Sequence, residues 1–268
     1  MNNLKNKNII FISGLHRSGT TYLFKLISKN FNVSSFKNTG FPMDEGQYLQ
    51  ELFPLDFDYI APGKFAFNPN SNFTEKSDLL KHKNILIDNW NKYYDQSKQF
   101  FLEKSPPNLL RTRFLQEVFP NSKFITIIRH PIAVSYATKK WTNDFFLEKL
   151  IKHWIIAHKI YMEDRKYLKN ELLISYEDFA ESTDLNISRI NKFLGIEINN
   201  DHKFVNQNEF YFNLWNLKAY SGLKKFGKLL EKKYLINKYE SAINEFGYSL
   251  KTLSSLPKYN SFNKSKLF

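Results

Sequence analysis

IIFISGLHRSGTTYLFKLI, at residues 9–27, is the stretch that decides the fold of this chain. Its first four residues are apolar and mostly β-branched, and they predict a strand that stops at Gly14. A short loop covers 14–19, and apolar residues at helical spacing follow from Thr20. Strand, glycine-bounded loop and helix surround a phosphate with backbone N–H groups, and the helix N-terminus adds roughly half a positive charge. The stretch therefore predicts a site for a phosphorylated ligand.

The loop differs from the ATP-binding pattern GxxxxGK[ST] at its lysine. Thr20 stands where that lysine would be, and the positive charge lies earlier in the loop, at Arg17. A loop without the lysine that reaches the terminal phosphates makes a poor nucleoside triphosphatase. The alternative is that the glycines serve only the close packing of strand and helix, as they do in many α/β domains.

Composition limits the classes of protein to which the chain can belong. Its 268 residues are 42% hydrophobic, which suits a globular core, and the absence of cysteine excludes disulfides and thiolate metal sites. The N-terminus has neither a signal-peptide pattern nor an apolar run that would span a membrane, so we expect a soluble, cytoplasmic protein without a membrane partner. The net charge of +13 favours an anionic ligand. Nucleic acid is not expected, because no nucleic-acid-binding module is visible.

Predicted strands alternate with predicted helices along the chain. The strands cover 9–13, 33–36, 100–102, 123–128 and 172–175, and the helices cover 20–29, 75–95, 108–118, 132–139, 145–168, 184–194 and 232–246, with Gly247 as a C-cap. This order predicts an α/β fold with a P-loop-like central parallel sheet flanked by helices. No linker divides residues 1–268, so we expect one domain. Its nucleotide core covers about 8–36, 100–141 and 171–178. A C-terminal basic segment, 218–268, holds eleven Lys against three Glu.

A second anion site follows the predicted strand in KFITIIRHP, at 123–131. Arg129 ends this strand where kinases and ATPases carry an aspartate that helps to hold Mg²⁺. Pro131 favours a new helix, and Ser135 lies in its first turns. An arginine and a hydroxyl near a helix N-terminus suit a phosphate, whereas a lone Arg129 would more often pair with a surface carboxylate. Together, the two sites indicate a nucleotide with anionic groups at both ends rather than ATP with Mg²⁺.

Both motifs resemble those of the sulfotransferases that use 3′-phosphoadenosine 5′-phosphosulfate (PAPS). HRSGTT resembles the 5′-phosphosulfate loop of that superfamily, and KFITIIRHPIAVSYA resembles its 3′-phosphate motif. FLEKSPPNLL is similar to the EK[ST]P element of the Golgi and bacterial branches, and DEGQYLQ is similar to a bacterial pattern. The resemblance implies a sulfotransferase that takes PAPS as donor and transfers its sulfuryl group to a hydroxyl, or an amine, of a small molecule or glycan.

The resemblance also implies roles for individual residues. The 5′-phosphosulfate would be held by Arg17, Ser18, Gly19, Thr20 and Thr21, with a further contact from His16, and the 3′-phosphate by Arg129 and Ser135. Ser135 lies six residues after Arg129, whereas the family's serine lies eight after, at the position of Ala137. Tyr176 would approach the adenine, although a core aromatic residue is equally compatible with ISYEDF. A late basic loop would involve Lys218, Lys224 or Lys225.

Sulfuryl transfer requires removal of the acceptor's proton and stabilisation of the charge that grows on the departing nucleotide. Arg17 and Lys104 are the candidates for the charge, and they require no metal; a solvated loop position is the alternative for Lys104. Glu45 is the first candidate for the base, with Asp44 as its competitor. His130 is expected to be structural. His153 and His158, five residues apart, are not expected to share a helix face, so no metal site is predicted.

Two other functional classes are compatible with parts of the sequence. A P-loop kinase would fit the first loop, but it lacks the lysine at position 20 and has Arg129 where an aspartate belongs. A non-catalytic module that binds anions through its basic segment is the second alternative. The sequence does not identify the acceptor. Six aromatic residues could line its pocket, but they are expected mainly in the core: Trp90, Tyr93, Tyr94, Trp141, Phe145 and Phe146.

Overall fold

The first predicted strand is the centre of a parallel sheet. The structure, a computed structural model, describes residue 4 and residues 7–55, 62–142, 146–198 and 204–257. Its strands are β1 (Asn8–Ser13), β2 (Val33–Ser35), β3 (Phe100–Lys104), β4 (Lys123–Ile128) and β5 (Glu171–Ser175). They are hydrogen-bonded in the order β2-β3-β1-β4-β5, and every neighbouring pair is parallel. The predicted fold class is confirmed.

Helices connect the strands and cover both faces of the sheet. In the described residues the α-helices are α1 (Thr20–Ile27), α2 (Lys83–Asn91), α3 (Thr112–Val118), α4 (Pro131–Thr142), α5 (Leu147–Asp164), α6 (Tyr176–Glu181), α7 (Thr183–Leu194), α8 (Asn208–Trp215) and α9 (Gly222–Asn244). Alternate residues of β1 serve opposite faces, as the strand period requires. Phe11 packs with Trp90 of α2, whereas Ile10 and Ile12 pack with α1 and α7. A third cluster joins α4, α5 and α9.

The strand order brings the predicted site elements to one edge of the sheet. The connection after β1 leads to β2 on one side, and the connection after β3 crosses β1 to reach β4 on the other. Ligands of open α/β sheets bind at the carboxyl ends of the strands where such a change of direction occurs. The loop at 14–19, Lys104, Arg129 and Tyr176 all follow or end strands at this edge.

The helix predicted at 75–95 is shorter than the sequence indicated. A 3₁₀ turn, Asp78–His82, precedes α2, and α2 ends at Asn91. The backbone N–H of Thr74 donates to Ser77 Oγ at 2.9 Å, and the N–H of Ser97 donates to Asp95 Oδ1 at 2.9 Å. Such local bonds from short polar side chains compete with helix formation at both ends of the segment. Likewise, 106–110 is a 3₁₀ turn rather than the start of α3.

The C-terminal third differs most from the expectation. The sequence analysis missed α6 and α8, and α9 begins ten residues before the predicted start at 232. Gly222 and Gly227 lie in the first turns of α9, and the sequence there does not favour a helix because glycine lowers helix stability. Gly247 has a φ of +79° and its N–H donates to Asn244 O at 2.9 Å, so it closes the helix as predicted. Residues 145 and 258–268 lie outside the described residues.

No helix in the described part of the chain is both long enough and apolar enough to cross a membrane.

Candidate active site

The loop after β1 is shaped by two glycines and a strained arginine. Gly14 and Gly19 have φ values of +147° and +104°, and a Cβ at Gly14 would lie 2.5 Å from the Ile127 carbonyl oxygen. Arg17 has a φ of +68°, a conformation that non-glycine residues seldom adopt outside functional or strained sites. Gly19 caps α1, whose first backbone N–H groups have no intrahelical partners. The loop thus presents donors and a helix N-terminus at the sheet edge.

A cavity of about 360 Å³ opens beside this loop. It is lined by His16, Arg17, Thr20, Thr21, Pro42, Met43, Glu45, Tyr48, Lys104, Pro106 and Trp141. The Arg17 guanidinium carbon lies 5.0 Å from the centre of the Trp141 ring, within cation–π range. The volume falls in the range of small-molecule sites. The loop, the end of β3 and the segment after β2 therefore form one pocket.

A buried ion pair lies in this cavity. Lys104 Nζ donates to Glu45 Oε1 at 2.5 Å, with side chains only 2% and 8% exposed. Gln47 Nε2 donates to the other carboxylate oxygen of Glu45 at 2.7 Å. Lys104 is the last residue of β3, so the strand aims its ammonium at the ligand edge of the sheet rather than at solvent. The alternative of a solvated Lys104 is wrong.

Glu103, which the sequence analysis did not single out, holds the segment that carries Glu45. Glu103 Oε1 accepts from the Gly46 backbone N–H at 3.0 Å and from Ser105 Oγ at 2.5 Å. Ser105 Oγ in turn accepts from the Gln47 N–H at 3.1 Å, and Asn108 Nδ2 donates to Glu103 Oε2. Burial raises the pKa of the Glu103 carboxyl to about 7. Glu103 lies inside the EKSP motif, and this position could have indicated its importance from the sequence.

Asp44, the competing candidate for the base, is engaged outside the cavity. Its Oδ1 accepts from the Thr39 backbone N–H at 2.8 Å and from the Thr39 hydroxyl at 2.7 Å. Burial alone would raise the pKa of Asp44, but these hydrogen bonds outweigh it, and the pKa is lowered. Asp44 does not line the cavity in which an acceptor would bind, whereas Glu45 does. The geometry favours Glu45.

Arg129 lies under the phosphate loop and is almost fully buried. Its Nη1 donates to the Arg17 carbonyl oxygen at 2.7 Å, and its Nε donates to Asn208 Oδ1 at 2.7 Å. The guanidinium carbon lies 3.9 Å from the centre of the Tyr176 ring. Nη2 is buried and has no hydrogen-bond partner in the described structure. Burial lowers the pKa of Arg129. Buried donors without a partner call for an explanation, and an anionic ligand is one.

Two residues that hold Arg129 escaped the sequence analysis. Asn208, the first residue of α8, also donates through Nδ2 to Glu177 Oε1 at 2.7 Å. Glu177 further accepts from the His130 N–H at 2.9 Å and from the Tyr248 hydroxyl at 2.8 Å. Burial raises the pKa of Glu177. Glu177 lies in the YED stretch of ISYEDF, so the sequence could have indicated it. The sequence around Asn208 gives no such indication, because only the fold brings α8 to the end of β4.

Tyr176 and Ser135 have different surroundings. Tyr176 packs against Arg129 and next to Gly19, where an added Cβ would approach its ring to 3.1 Å. Ser135 instead lines a cavity of about 10 Å³ with His16 and His153. Ser135 Oγ is buried without a hydrogen-bond partner in the described residues. The structure thus gives Tyr176, but not Ser135, a contact with Arg129, and the 3′-phosphate role of Ser135 stays a prediction.

His130, His153 and His158 are buried in the core, whereas His16 lines a cavity. His16 lines the larger cavity, and its ring packs near Trp141 and Phe65. His153 and His158 are both buried, but His153 packs against Phe65 and Phe67 whereas His158 packs against Trp154 and Phe246, so they lie on different sides of α5, as expected. Burial lowers the pKa of each to about 3, as it does for His130. Within the described ranges, no three acidic or histidine side chains are grouped closely enough to hold a metal.

Among the described aromatic candidates for an acceptor pocket, Trp90 and Tyr94 are buried whereas Tyr93, Trp141 and Phe146 are exposed, so the expectation that these residues lie mainly in the core is wrong. Trp90 and Tyr94 are buried between α2 and the sheet, and Tyr93 packs on Phe36. Trp141 is the member that lines the cavity. Phe146 is 73% exposed. The late lysines Lys218, Lys224 and Lys225 are all exposed, and none of them lines the cavity.

Comparison with known protein families accounts for the presence of three features in one chain: a loop without the ATPase lysine, the EKSP motif and Arg129. The sequence profile of the Sulfotransferase family matches residues 9–200, which include all of these elements. The chain belongs to the sulfotransferase family. Sulfuryl transfer is accordingly its general activity. No curated protein sequence matches the chain.

The solved structure of one sulfotransferase, STF1, agrees with this fold. Sulfotransferase STF1 from Mycobacterium tuberculosis H37Rv is 14% identical in sequence to this chain. The structural alignment covers 87% of this chain and 77% of the STF1 chain, with a TM-score of 0.53. Sulfotransferase STF9 from Mycobacterium avium is 11% identical, covers 81% of this chain and 69% of its own, and has a TM-score of 0.49. At these identities the STF1 likeness supports the fold of this sulfotransferase and not its substrates.

Proposed function

We propose that this sulfotransferase moves the sulfuryl group of PAPS to a hydroxyl, or an amine, of a small molecule or glycan. One observation carries the proposal. The Lys104–Glu45 pair, at 2.5 Å, lies in the same cavity as Arg17, Thr20 and Thr21 of the phosphate loop. A proton acceptor and two cations thus surround a space in which an acceptor hydroxyl and a donor phosphosulfate can meet.

The residues present fit the donor. The glycines let the loop pass close to Ile127 and Tyr176, and the loop ends at the N-terminus of α1, whose first N–H groups suit an anion. Ser18 Oγ and Arg129 Nη2 are buried polar atoms without protein partners in the described residues. A 5′-phosphosulfate near Ser18 and Arg17, and a 3′-phosphate near Arg129 with Tyr176 beside the adenine, would use these groups. His16 lines the sulfuryl end of the cavity in this arrangement.

Glu45 is the proposed base. When bound, the donor supplies the sulfuryl group, whose bond to the 5′-phosphate oxygen breaks as a bond to the acceptor oxygen forms. Glu45 accepts the hydroxyl proton of the acceptor, so that the acceptor oxygen has a lone pair for the new bond. Gln47 Nε2 and Lys104 Nζ each bind one carboxylate oxygen of Glu45, which fixes the orientation of the carboxylate. Burial of Glu45 and Lys104 limits the contact of this pair with water.

Lys104 and Arg17 are the proposed partners of the leaving phosphate. Lys104 is buried, where the attraction between its ammonium and an anion is stronger than in water, whereas Arg17 is exposed and offers a guanidinium whose N–H groups suit a phosphate. As charge grows on the phosphate oxygen, the attraction of these two cations grows with it, which lowers the barrier. In this proposal the two side chains perform the charge stabilisation that Mg²⁺ performs in kinases.

Calorimetry and a transfer assay test the proposal together. Adenosine 3′,5′-bisphosphate is titrated into the purified protein, and ³⁵S-labelled PAPS is incubated with a panel of phenols, steroids, sugars and amines. We expect tight binding and transfer to at least one hydroxyl acceptor. Binding without transfer across the panel would favour a non-catalytic module. Phosphoryl transfer from ATP with Mg²⁺, in the absence of sulfuryl transfer, would favour a kinase.

A further inference from the structure

The first half of α9 extends away from the protein body. Residues 221–227 are exposed all round the helix, and only from Lys228 do its side chains begin to pack. The buried positions of α9 are Leu235, Tyr239 and Ile243, all in the second half. The first turns are therefore held in place by the helix itself and not by contact with the core.

An apolar stripe runs along the outer side of this half. Leu223, Phe226, Leu230 and Tyr234 are 91%, 60%, 53% and 47% exposed. They are spaced three or four residues apart, so they lie on one face of the helix. At roughly 100° per residue, this face points away from the face that carries the buried residues. The outermost part of the helix is thus its most apolar part, which is unusual for a surface exposed to water alone.

Lysines occupy the other positions of this half. Residues 222–234 hold five lysines and one glutamate, Glu231. Lys228 pairs with Glu231 at 2.5 Å, which neutralises the one acidic side chain. At roughly 100° per residue, Lys233 flanks the stripe on one side and Lys224 lies towards its other side, and both are exposed. The segment thus combines an apolar outer face with a positive charge around it.

We propose that this half of α9, with its Leu223–Phe226–Leu230–Tyr234 stripe outward, docks on an anionic lipid surface. An interfacial helix buries such a face among acyl chains while its lysines meet the phosphate headgroups. A second copy of the chain is a poorer partner, because pairing two stripes would bring the flanking lysines of both copies together. The stripe is also convex and needs no groove, which suits a deformable surface.

The surroundings of the stripe extend this docking face towards α5. The Tyr234 hydroxyl donates to Glu148 Oε1 at 2.9 Å, and Phe146, two residues before Glu148, is 73% exposed. An exposed aromatic ring beside the stripe adds apolar surface at the depth of the headgroups. The proposal differs from the expectation of no membrane partner, which the sequence analysis drew from the lack of a spanning segment. Surface docking requires no such segment.

Vesicle co-sedimentation tests the proposal without any assumption about the reaction. The full chain is mixed with vesicles of phosphatidylcholine alone, or of phosphatidylcholine with phosphatidylglycerol, at low and high salt. We expect binding to the anionic vesicles only, and less of it at high salt. Replacing Leu223, Phe226 and Leu230 together with serine should weaken this binding by about tenfold or more, since the buried apolar area is lost. These side chains are exposed, so the variant should fold normally, which circular dichroism checks.

Matched variants separate the stripe from general effects. Phe31 and Leu185 are 77% and 58% exposed on other elements, and serine at both positions should leave vesicle binding unchanged. Reversal of charge at Lys224 and Lys225 should abolish binding, whereas reversal at the exposed Lys76 and Lys81 should reduce it far less. Absence of binding to anionic vesicles, or equal losses for stripe and control variants, would overturn the proposal. So would light scattering that shows a dimer which the triple serine variant dissociates, because the occupant would then be a second copy.

Discussion

The Glu103 carboxylate accepts a hydrogen bond of 3.0 Å from the backbone N–H of Gly46, the residue next to Glu45. Strand β3 thus holds the segment that carries the proposed base, and it does so at a point where a side chain cannot fit. A Cβ at Gly46 would lie 2.8 Å from Glu103 Oε1. The Trp90 indole N–H donates to the Gly46 carbonyl oxygen at 3.0 Å and fixes the same residue from α2. The position of Glu45 is therefore set from two directions.

Glu103→Gln should lower kcat by about tenfold to a hundredfold with little change in the KM of the donor, as supporting residues of an active site typically do. Asn108 Nδ2 donates to Glu103 Oε2, and a glutamine at position 103 would place its own NH₂ donor against this nitrogen. Two donors cannot form a hydrogen bond, so the network around Gly46 loosens. Steady-state kinetics with labelled PAPS measures kcat and the KM of the donor separately. Ser105→Ala, which removes one bond of the same network, should have a smaller effect. A loss confined to KM would contradict a positioning role.

The same variant should change how stability depends on pH. Burial raises the pKa of Glu103 from 4.5 to about 7, so the folded state holds this proton more tightly than the unfolded state does. The resulting stabilisation is complete below pH 4.5 and is lost as the pH rises through about 7. The free energy of unfolding of the wild type, minus that of Glu103→Gln, should decline by about 3 kcal/mol over this range. Urea denaturation at several pH values measures it, and a flat difference would contradict the shift.

Glu45→Gln should abolish turnover and leave binding of adenosine 3′,5′-bisphosphate nearly intact. The amide cannot accept the proton of the acceptor, but it has almost the same shape, and Lys104 remains to bind phosphate. Transfer from labelled PAPS and calorimetry are measured on the same sample. Asp44→Asn is the matched control, and it should keep most of the activity because Asp44 binds Thr39 and not the cavity. If Glu45→Gln also loses nucleotide binding, Glu45 is structural and not the base.

Arg129→Ala should weaken the binding of adenosine 3′,5′-bisphosphate far more than that of AMP. The two nucleotides differ by the 3′-phosphate that we assign to the unpartnered Nη2 of Arg129. Charge-assisted bonds to phosphate from an arginine are worth about 1.5–3 kcal/mol each, so a loss of tenfold to a hundredfold is expected for the bisphosphate. Calorimetry with both ligands measures the difference.

The Arg129 variant needs a control, since Arg129 also donates to the Arg17 carbonyl oxygen and supports the loop. Arg129→Lys keeps a positive charge and should recover part of the preference for the bisphosphate. Equal losses for both nucleotides in Arg129→Ala would place the residue in the support of the loop and not in a 3′ site.

Gly14→Ala should destabilise the fold by about 1–3 kcal/mol and reduce nucleotide binding. The new Cβ would meet the Ile127 carbonyl oxygen at 2.5 Å, and the φ of +147° is unfavourable for alanine. Gly227→Ala is the matched control, because nothing lies within 4 Å of its Cβ and its φ is not positive. The control should stabilise α9 by about 0.5–1 kcal/mol, as expected for an exposed helical position. Thermal and chemical denaturation compare the two variants.

Local patterns were sufficient for the sheet and for the phosphate loop. Strand periodicity, Gly14 and Gly19 depend on neighbours within a few residues, so the sequence indicated them directly. EKSP also placed Lys104 at the end of a strand. The helix ends were less accurate, since side-chain bonds such as those of Ser77 and Asp95 terminate α2 without changing its apolar spacing.

The sequence by itself determined a parallel α/β fold with a glycine-bounded loop after β1 and a cationic residue at the ends of β3 and β4. Only the tertiary structure decided which side chains meet there. Lys104 joins Glu45 from 59 residues away, and Arg129 joins Asn208 from 79 residues away. Likewise, only the fold left the stripe of α9 uncovered and placed Ser135 beside His16. The physical reason is that burial and pairing depend on which elements pack together, and local sequence carries little information about such long-range contacts.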